Sequence, residues 1–324
     1  MKVSTNLLLV GFAVASQSWA LPLLQASSWS GWDGVEFLFV FGNSYTTTGF
    51  DPSLEQPNPS NPLGNPPYPG WTSSNGPNWI DFLATTYNQS YVRTYNLAYG
   101  GATVDSDLVP PYEPTVLSLK NQVEDQFLPI YGGKPESAPW AEDNTLFAIF
   151  IGINDVGNTY WTEYNSLYDQ IFTVYDNLIS QIYQSGGRNF LFLNVPPVDR
   201  SPLTIEQNEQ AQVLENAAIQ NFNSRIATLA TKVQTLYGTR VFLLDTHAIF
   251  TAVLDNPASY AETAVYKNLT KYCDAYQNGT PDWYTFTPEC GIPVNEYFWL
   301  NSLHPTFPVH NATAREVAAL LGQP

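Results

Sequence analysis

A serine hydroxyl attacks a carbonyl only when a base takes its proton, which makes the three histidines of this chain, His247, His304 and His310, informative. His304 stands in Asn301-Ser302-Leu303-His304-Pro305-Thr306, just before a helical pattern that closes the chain. Ser44 stands in Phe41-Gly42-Asn43-Ser44-Tyr45-Thr46-Thr47-Thr48-Gly49, straight after an apolar β-type run and among residues that permit a tight turn. Two further blocks end similar runs. Gly152-Ile153-Asn154-Asp155 supplies a side-chain amide that can donate hydrogen bonds. Gly100-Gly101-Ala102-Thr103 supplies backbone N–H groups that no side chain screens. A nucleophile, an imidazole base and converging N–H donors are the parts of an acyl-transfer site, because negative charge builds on the carbonyl oxygen of the tetrahedral intermediate. Taken singly, each block also reads as turn chemistry, and His247 and His310 read as solvated or capping residues.

Elements that could gather these blocks are legible in the hydrophobic pattern. Short β-branched or aromatic runs alternate with longer amphipathic segments, which predicts a parallel sheet with helices on its faces. Five strands are expected, Glu36 to Phe41, Val92 to Leu97, Leu146 to Ile151, Asn189 to Asn194 and Val241 to Leu244, each suited to burial on both sides. Helices are expected over Glu206 to Leu236, Glu163 to Gln184 and Asn311 to Leu321. In the first of these, Leu214, Ala218, Phe222, Ile226, Leu229, Val233 and Leu236 form a stripe that should face the sheet. Gly186-Gly187 would end the second. The Pro/Asn/Gly-rich stretch Asp51 to Gly76 reads as a long surface loop. Ligands bind where loops converge at the carboxyl ends of such strands, which is where Ser44, Gly101 and Asn154 lie.

Taken in order, Gly-X-Ser after strand one, Gly after strand two, Gly-X-Asn-Asp after strand three and His-Pro-Thr before the final helix, the chain resembles the SGNH hydrolases, also called GDSL esterases and lipases. The resemblance covers nearly the whole mature chain. Its Thr-rich first block and the ending Asn-Ser-Leu-His-Pro-Thr-Phe-Pro-Val-His look most like fungal acetyl esterases of carbohydrate esterase family 16. The resemblance implies a flavodoxin-like three-layer α/β/α sandwich around a five-stranded parallel sheet. It also implies roles: Ser44 as nucleophile, His304 as base, and an oxyanion hole from the Ser44 and Gly101 N–H groups and the Asn154 side chain. No metal or other cofactor is implied.

Two positions depart from that pattern. Asn43 stands where an Asp normally precedes the nucleophile, and Asn301 stands where the triad Asp lies, three residues before the histidine. The second matters more, because a carboxylate fixes the imidazole tautomer and stabilises the imidazolium. An amide or main-chain oxygen of Asn301 could still accept from the outer ring nitrogen and leave a Ser-His dyad in working orientation. The competing reading is a homologue that binds but turns over poorly.

The bulk properties of the 324 residues narrow the setting. Met1-Lys2, the apolar run Leu7 to Val14 and Ser18-Trp19-Ala20 read as a signal peptide over residues 1–20, followed by one hydrolase domain over 21–324, so secretion is expected. Asn88, Asn268, Asn278 and Asn311 each open an Asn-X-Ser/Thr glycan-acceptor motif. Cys273 and Cys290, the only cysteines, would pair in an oxidising compartment, the alternative being two buried thiols. A net charge of -17 with 12 basic residues disfavours nucleic acid and anionic membranes, and a monomer is expected. Nine Trp and twenty Tyr suit stacking on sugar rings, although most such rings fill cores. The leading expectation is a secreted serine esterase acting on short acyl esters, acetylated sugars or oligosaccharides foremost. A lipase or phospholipase and a weakened carbohydrate-binding homologue are the alternatives.

Overall fold

A computed structural model describes residues 29–323. The expected signal segment, residues 1–20, lies outside the described residues. Apolar runs form the strands β1 (Phe37–Gly42), β3 (Thr145–Phe150), β4 (Asn189–Leu193) and most of β5 (Arg240–Leu244), while the short edge strand β2 (Arg93–Asn96) is mostly polar. All neighbours pair in parallel, in the order β2-β1-β3-β4-β5. This is the flavodoxin-like order, and its switch point falls where β1 is flanked by β2 and β3.

Side chains alternate across the strands, so each face collects its own set. Phe39 and Phe147 stack on one face, with ring centroids 5.5 Å apart, and meet Phe127 and Trp140. Phe127 comes from a π-wound segment, Gln122–Tyr131, that continues the short helix α2 (Leu119–Asn121). The helix α4 (Asn165–Gln184) reaches this face through Tyr175 on Phe192 of β4, and α6 (Glu209–Tyr237) packs beside it through Phe222 on Phe172. On the opposite face Phe150 meets Trp79 of α1 (Trp79–Thr85), which packs along α8 (Phe307–Leu321). The expected α/β/α sandwich and its five-stranded parallel sheet are therefore present.

Several expectations need correction in detail. The edge strand β5 is not buried on both sides: Leu243 is exposed, and among the described residues no further strand pairs beyond β5. The apolar stripe of α6 is shorter than expected, with Leu214 39% and Leu236 69% exposed. Helical phase explains this: Ala211, Glu215, Ala218, Ile219 and Phe222 hold the inner positions, which turns Leu214 outward. The helix expected from Glu206 is one unbroken helix that starts three residues later, at Glu209, because Asn208 caps it through a bond from Ala211 N, with the short α5 (Pro202–Ile205) before it. The last helix begins at Phe307, not Asn311, with Pro308 in its first turn. His310 therefore lies inside a helix and is buried, not solvated. Two further helices carried too weak a periodicity to be predicted, the seven-residue α1 and α7 (Thr246–Asp255).

Among the described residues four buried carboxyls are raised by burial: Asp81 to about 8, Asp155 to about 7, Glu215 to about 7, and Asp199 above the usual carboxylate value. Glu215 accepts a bond from the Thr204 hydroxyl of α5. A raised folded pKa gives stability that is whole below the unfolded pKa and is lost as pH rises through the folded value. His304 and His310, lowered by burial to about 4 and about 3, oppose this as pH falls below their ordinary 6.5. With four raised acids against two bases, Tm should fall between about pH 5 and pH 8. Glu215→Gln, which keeps an oxygen for Thr204, should make that fall shallower in calorimetry; an unaltered slope would mean Glu215 is ionised throughout.

Candidate active site

Ser44 follows β1 in a turn closed by bonds from Thr46 N and Thr47 N to Asn43 O, 3.0 and 2.9 Å. Gly42 is the last strand residue for a steric reason: a Cβ there would sit 2.5 Å from Phe150 O. Asn43, which is buried, accepts from Tyr45 N through Oδ1 at 3.1 Å, an Asx-type turn that an Asp would make equally well. The loop is held from outside by side chains that the sequence pattern did not single out. Buried Gln122 accepts from Gly42 N and donates to Gly42 O, both at 2.9 Å. Asn78 and Asn96 each donate to Thr46 O, at 2.8 and 2.7 Å. These amides satisfy backbone groups that a tight turn leaves unpaired, so they fix where the Ser44 hydroxyl points.

His304 comes from a separate loop before α8. Its Nε2 lies 2.8 Å from Ser44 Oγ, and its Nδ1 lies 3.0 Å from Asn301 Oδ1. The same Oδ1 accepts from His304 N at 2.9 Å and Leu303 N at 3.1 Å. Two backbone N–H donors can face only an oxygen, so the amide of Asn301 is oriented with its nitrogen outward, toward Gln277 O at 3.3 Å. Nδ1 must then carry the proton, which leaves the Nε2 lone pair for Ser44. Tyr45 OH donates to Leu303 O at 2.6 Å and ties this loop to the serine turn. Leu203 N of α5 donates to Ser302 O at 2.8 Å and supports it from behind.

The donor side lies across the switch point. Asn154 opens α3 (Ile153–Gly157), and its Nδ2 donates to Ala102 O at 2.8 Å, next to Gly101. One amide hydrogen is thus used and the second is left over. The N–H groups of Ser44 and Gly101 donate to no acceptor among the described residues. Asp155 binds Val104 N through both oxygens, at 3.0 and 3.3 Å, and so couples the turn after β3 to the turn after β2. Gly152, at φ +119°, is needed there, since a Cβ would come within 2.5 Å of the Phe222 ring.

Residues 38–296 match the family model described as GDSL-like Lipase/Acylhydrolase. An acetylesterase from Thermothelomyces thermophilus is 38% identical over 88% of this chain and 87% of its own. The chain belongs to the GDSL-like lipase/acylhydrolase family. An acetylesterase from Hypocrea jecorina is 23% identical, over 88% of each chain. Among solved structures, the acetylxylan esterase Axe2 from Geobacillus stearothermophilus gives a TM-score of 0.49 at 17% identity, covering 89% of this chain and 95% of that one. The chain is an enzyme of the carboxylic ester hydrolase class. The family match ends at residue 296, before Asn301 and His304, and the geometry brings these two to the serine.

In this family member His304 and Asn301 line a cleft of about 820 Å³, together with Trp71, Asn75, Gln277 and Trp283 among others. One wall is the loop expected over Asp51 to Gly76, the other the segment around residues 277–283. Asn75, held at φ +54°, bridges the walls by accepting from Thr280 N at 2.6 Å. The second wall is closed into a ring by the disulfide Cys273–Cys290, which matches the expected pairing. Of the glycan-acceptor asparagines, Asn88 and Asn278 are exposed, and Asn278 lies on the cleft lip. Asn268 is half-buried, its Oδ1 taken by Thr270 N and Lys271 N. Asn311 is half-buried within α8 and accepts from Tyr87 OH. His247, in the first turn of α7, bonds Gln220 of α6, and His310 meets the Tyr45 ring edge-on.

Burial, with no carboxylate beside it, holds His304 down at about 4. The acid limb of kcat/KM on p-nitrophenyl acetate should therefore lie near that value. Asn301→Asp should move the limb up by about one unit or more and raise the rate at neutral pH, because an adjacent negative charge favours imidazolium; a limb that stays put would detach His304 from the reaction. Cys273→Ser with Cys290→Ser frees a loop of the size for which closure contributes about 3 kcal/mol. Tm should drop and KM should rise more than kcat falls; an unchanged KM would show that the ring does not shape the cleft.

Proposed function

We propose that this chain is an exported serine esterase that removes short acyl groups, acetyl foremost, from neutral carbohydrates. The observation that carries the reading is the chain of contacts from Ser44 Oγ through His304 to Asn301 Oδ1. In the first step Ser44 Oγ bonds to the ester carbonyl carbon while its proton passes to His304 Nε2. The oxyanion takes up the free N–H groups of Ser44 and Gly101 and the spare hydrogen of Asn154, and each such donor is worth about 2.7–4 kcal/mol of barrier. Collapse expels the sugar alkoxide, which His304 protonates. Water, deprotonated by His304, then attacks the acyl-serine; collapse breaks the bond from the acyl carbon to Ser44 Oγ, His304 Nε2 returns the proton to Oγ, and the acyl group leaves as the acid.

Support for the alcohol part comes from the cleft. Its lining holds amides, hydroxyls and two indoles, and apart from His304 no side chain able to carry charge. Such a surface suits a neutral polyhydroxylated ligand better than an anionic headgroup, because nothing there would neutralise a phosphate. The names of the two fungal relatives support acetyl as the acyl group. The signal-like first 20 residues, the disulfide and the glycan-acceptor motifs support export.

Stoichiometric labelling by a serine-directed phosphonate should titrate one site per chain, and Ser44→Ala should lose both labelling and at least about 10³-fold in kcat. Rates on p-nitrophenyl esters should fall from acetate to octanoate. An undiminished rate in Ser44→Ala would overturn the mechanism, and a preference for octanoate would turn the reading to a lipase.

A further inference from the structure

A second cleft, of about 740 Å³, opens on the other side of one residue. Trp71 lines both clefts. The second begins at Thr47 and Gly100, beside the serine turn and the donor loop, and continues along Phe50, Leu97, Tyr99 and Gln126. Trp71 is 77% exposed, an unusual place for an indole, because burying it would remove a large apolar area from water. Yet it is anchored. Its backbone N–H donates to Thr48 O at 2.9 Å, and its ring lies so close to Gly49 that a Cβ there would sit 2.8 Å from it. One face of the ring is fixed against the serine turn, and the rest is presented between the clefts.

We propose that Trp71 is a stacking platform for a pyranose or furanose ring and that the second cleft is a further sugar subsite, so that the preferred substrate is an acylated oligosaccharide. The proposal rests on the esterase reading for its orientation. His304 must protonate the leaving alcohol and lines the first cleft, so the acylated sugar sits there and the following units cross Trp71 into the second. Aromatic faces pack on the C–H faces of sugars while the hydroxyls are left to polar groups. In the second cleft the half-buried Gln126 and the exposed ring of Tyr99 stand beside Trp71 among the lining residues. The only acidic or basic side chain lining this cleft is Asp51, so no cation there invites an anionic ligand.

The test compares monoacetylated mono- and tetrasaccharides of the xylose and the β-1,4-glucose series. The native enzyme should show kcat/KM about tenfold higher on the tetrasaccharide in at least one series, Trp71→Ala should lose that gain through KM, and Trp71→Phe should keep part of it. An equal gain in Trp71→Ala, or no length dependence in either series, would overturn the proposal. So would a result in which Trp71→Ala instead abolishes a preference for p-nitrophenyl octanoate over acetate, since the cleft would then hold the acyl chain. Calorimetry of Ser44→Ala with the unacetylated tetrasaccharides separates the two readings. Binding that disappears in Ser44→Ala/Trp71→Ala, in a protein without esterase activity before mutation, keeps the subsite and removes the hydrolase reading.

Discussion

Asn301 turns its carbonyl oxygen toward His304 because two backbone N–H groups, from Leu303 and His304, arrive on the same side of it. That constraint decides the tautomer of the imidazole, and through it which nitrogen faces Ser44. Where an asparagine in a serine-protease triad offers its N–H to the ring, the wrong tautomer results and turnover drops by roughly 10⁴. Here the turn forbids that rotamer. What the amide does not supply is charge, so the imidazolium gains no carboxylate and burial acts on His304 unopposed.

Everything else in the arrangement serves to bring this pair to the switch point of the sheet. The strand β1 delivers Ser44, the neighbouring strands deliver Gly101 and Asn154 on either side, and a loop some 260 residues later delivers the base. Precision comes from buried amides and one buried carboxyl. Gln122 grips both polar groups of Gly42, Asn78 and Asn96 share the carbonyl of Thr46, and Asp155 holds Val104 N. Buried polar groups of this kind are costly unless paired, and pairing them makes the turn rigid.

The substrate side is built from segments with little regular structure. Two loops form the walls of the first cleft, joined by Asn75 and Thr280 and closed at one end by Cys273–Cys290. Loops hold shape only where such cross-links replace a ladder of backbone bonds. Trp71 stands on the first of these loops but leans on Gly49 of the serine turn, so the ring that would meet the alcohol part of the substrate moves with the nucleophile.

The strands and their order of chemistry were legible in the sequence, because apolar runs buried on two faces need no context to be recognised and because Ser44, Gly101, Asn154 and His304 fall at their ends. Element ends, the outward turn of Leu214 and the short helices α1 and α7 were not, since helical phase and the cover over an edge are settled by neighbours far along the chain. The loss of charge at Asn43 and Asn301 could be read directly. Whether Asn301 offers oxygen or nitrogen could not, nor could the grip of Gln122 on Gly42 or the place of Trp71 between two clefts. Those are matters of direction and distance between groups far apart in sequence. Residue type limits what a side chain can donate or accept, and only the folded chain fixes what stands opposite it.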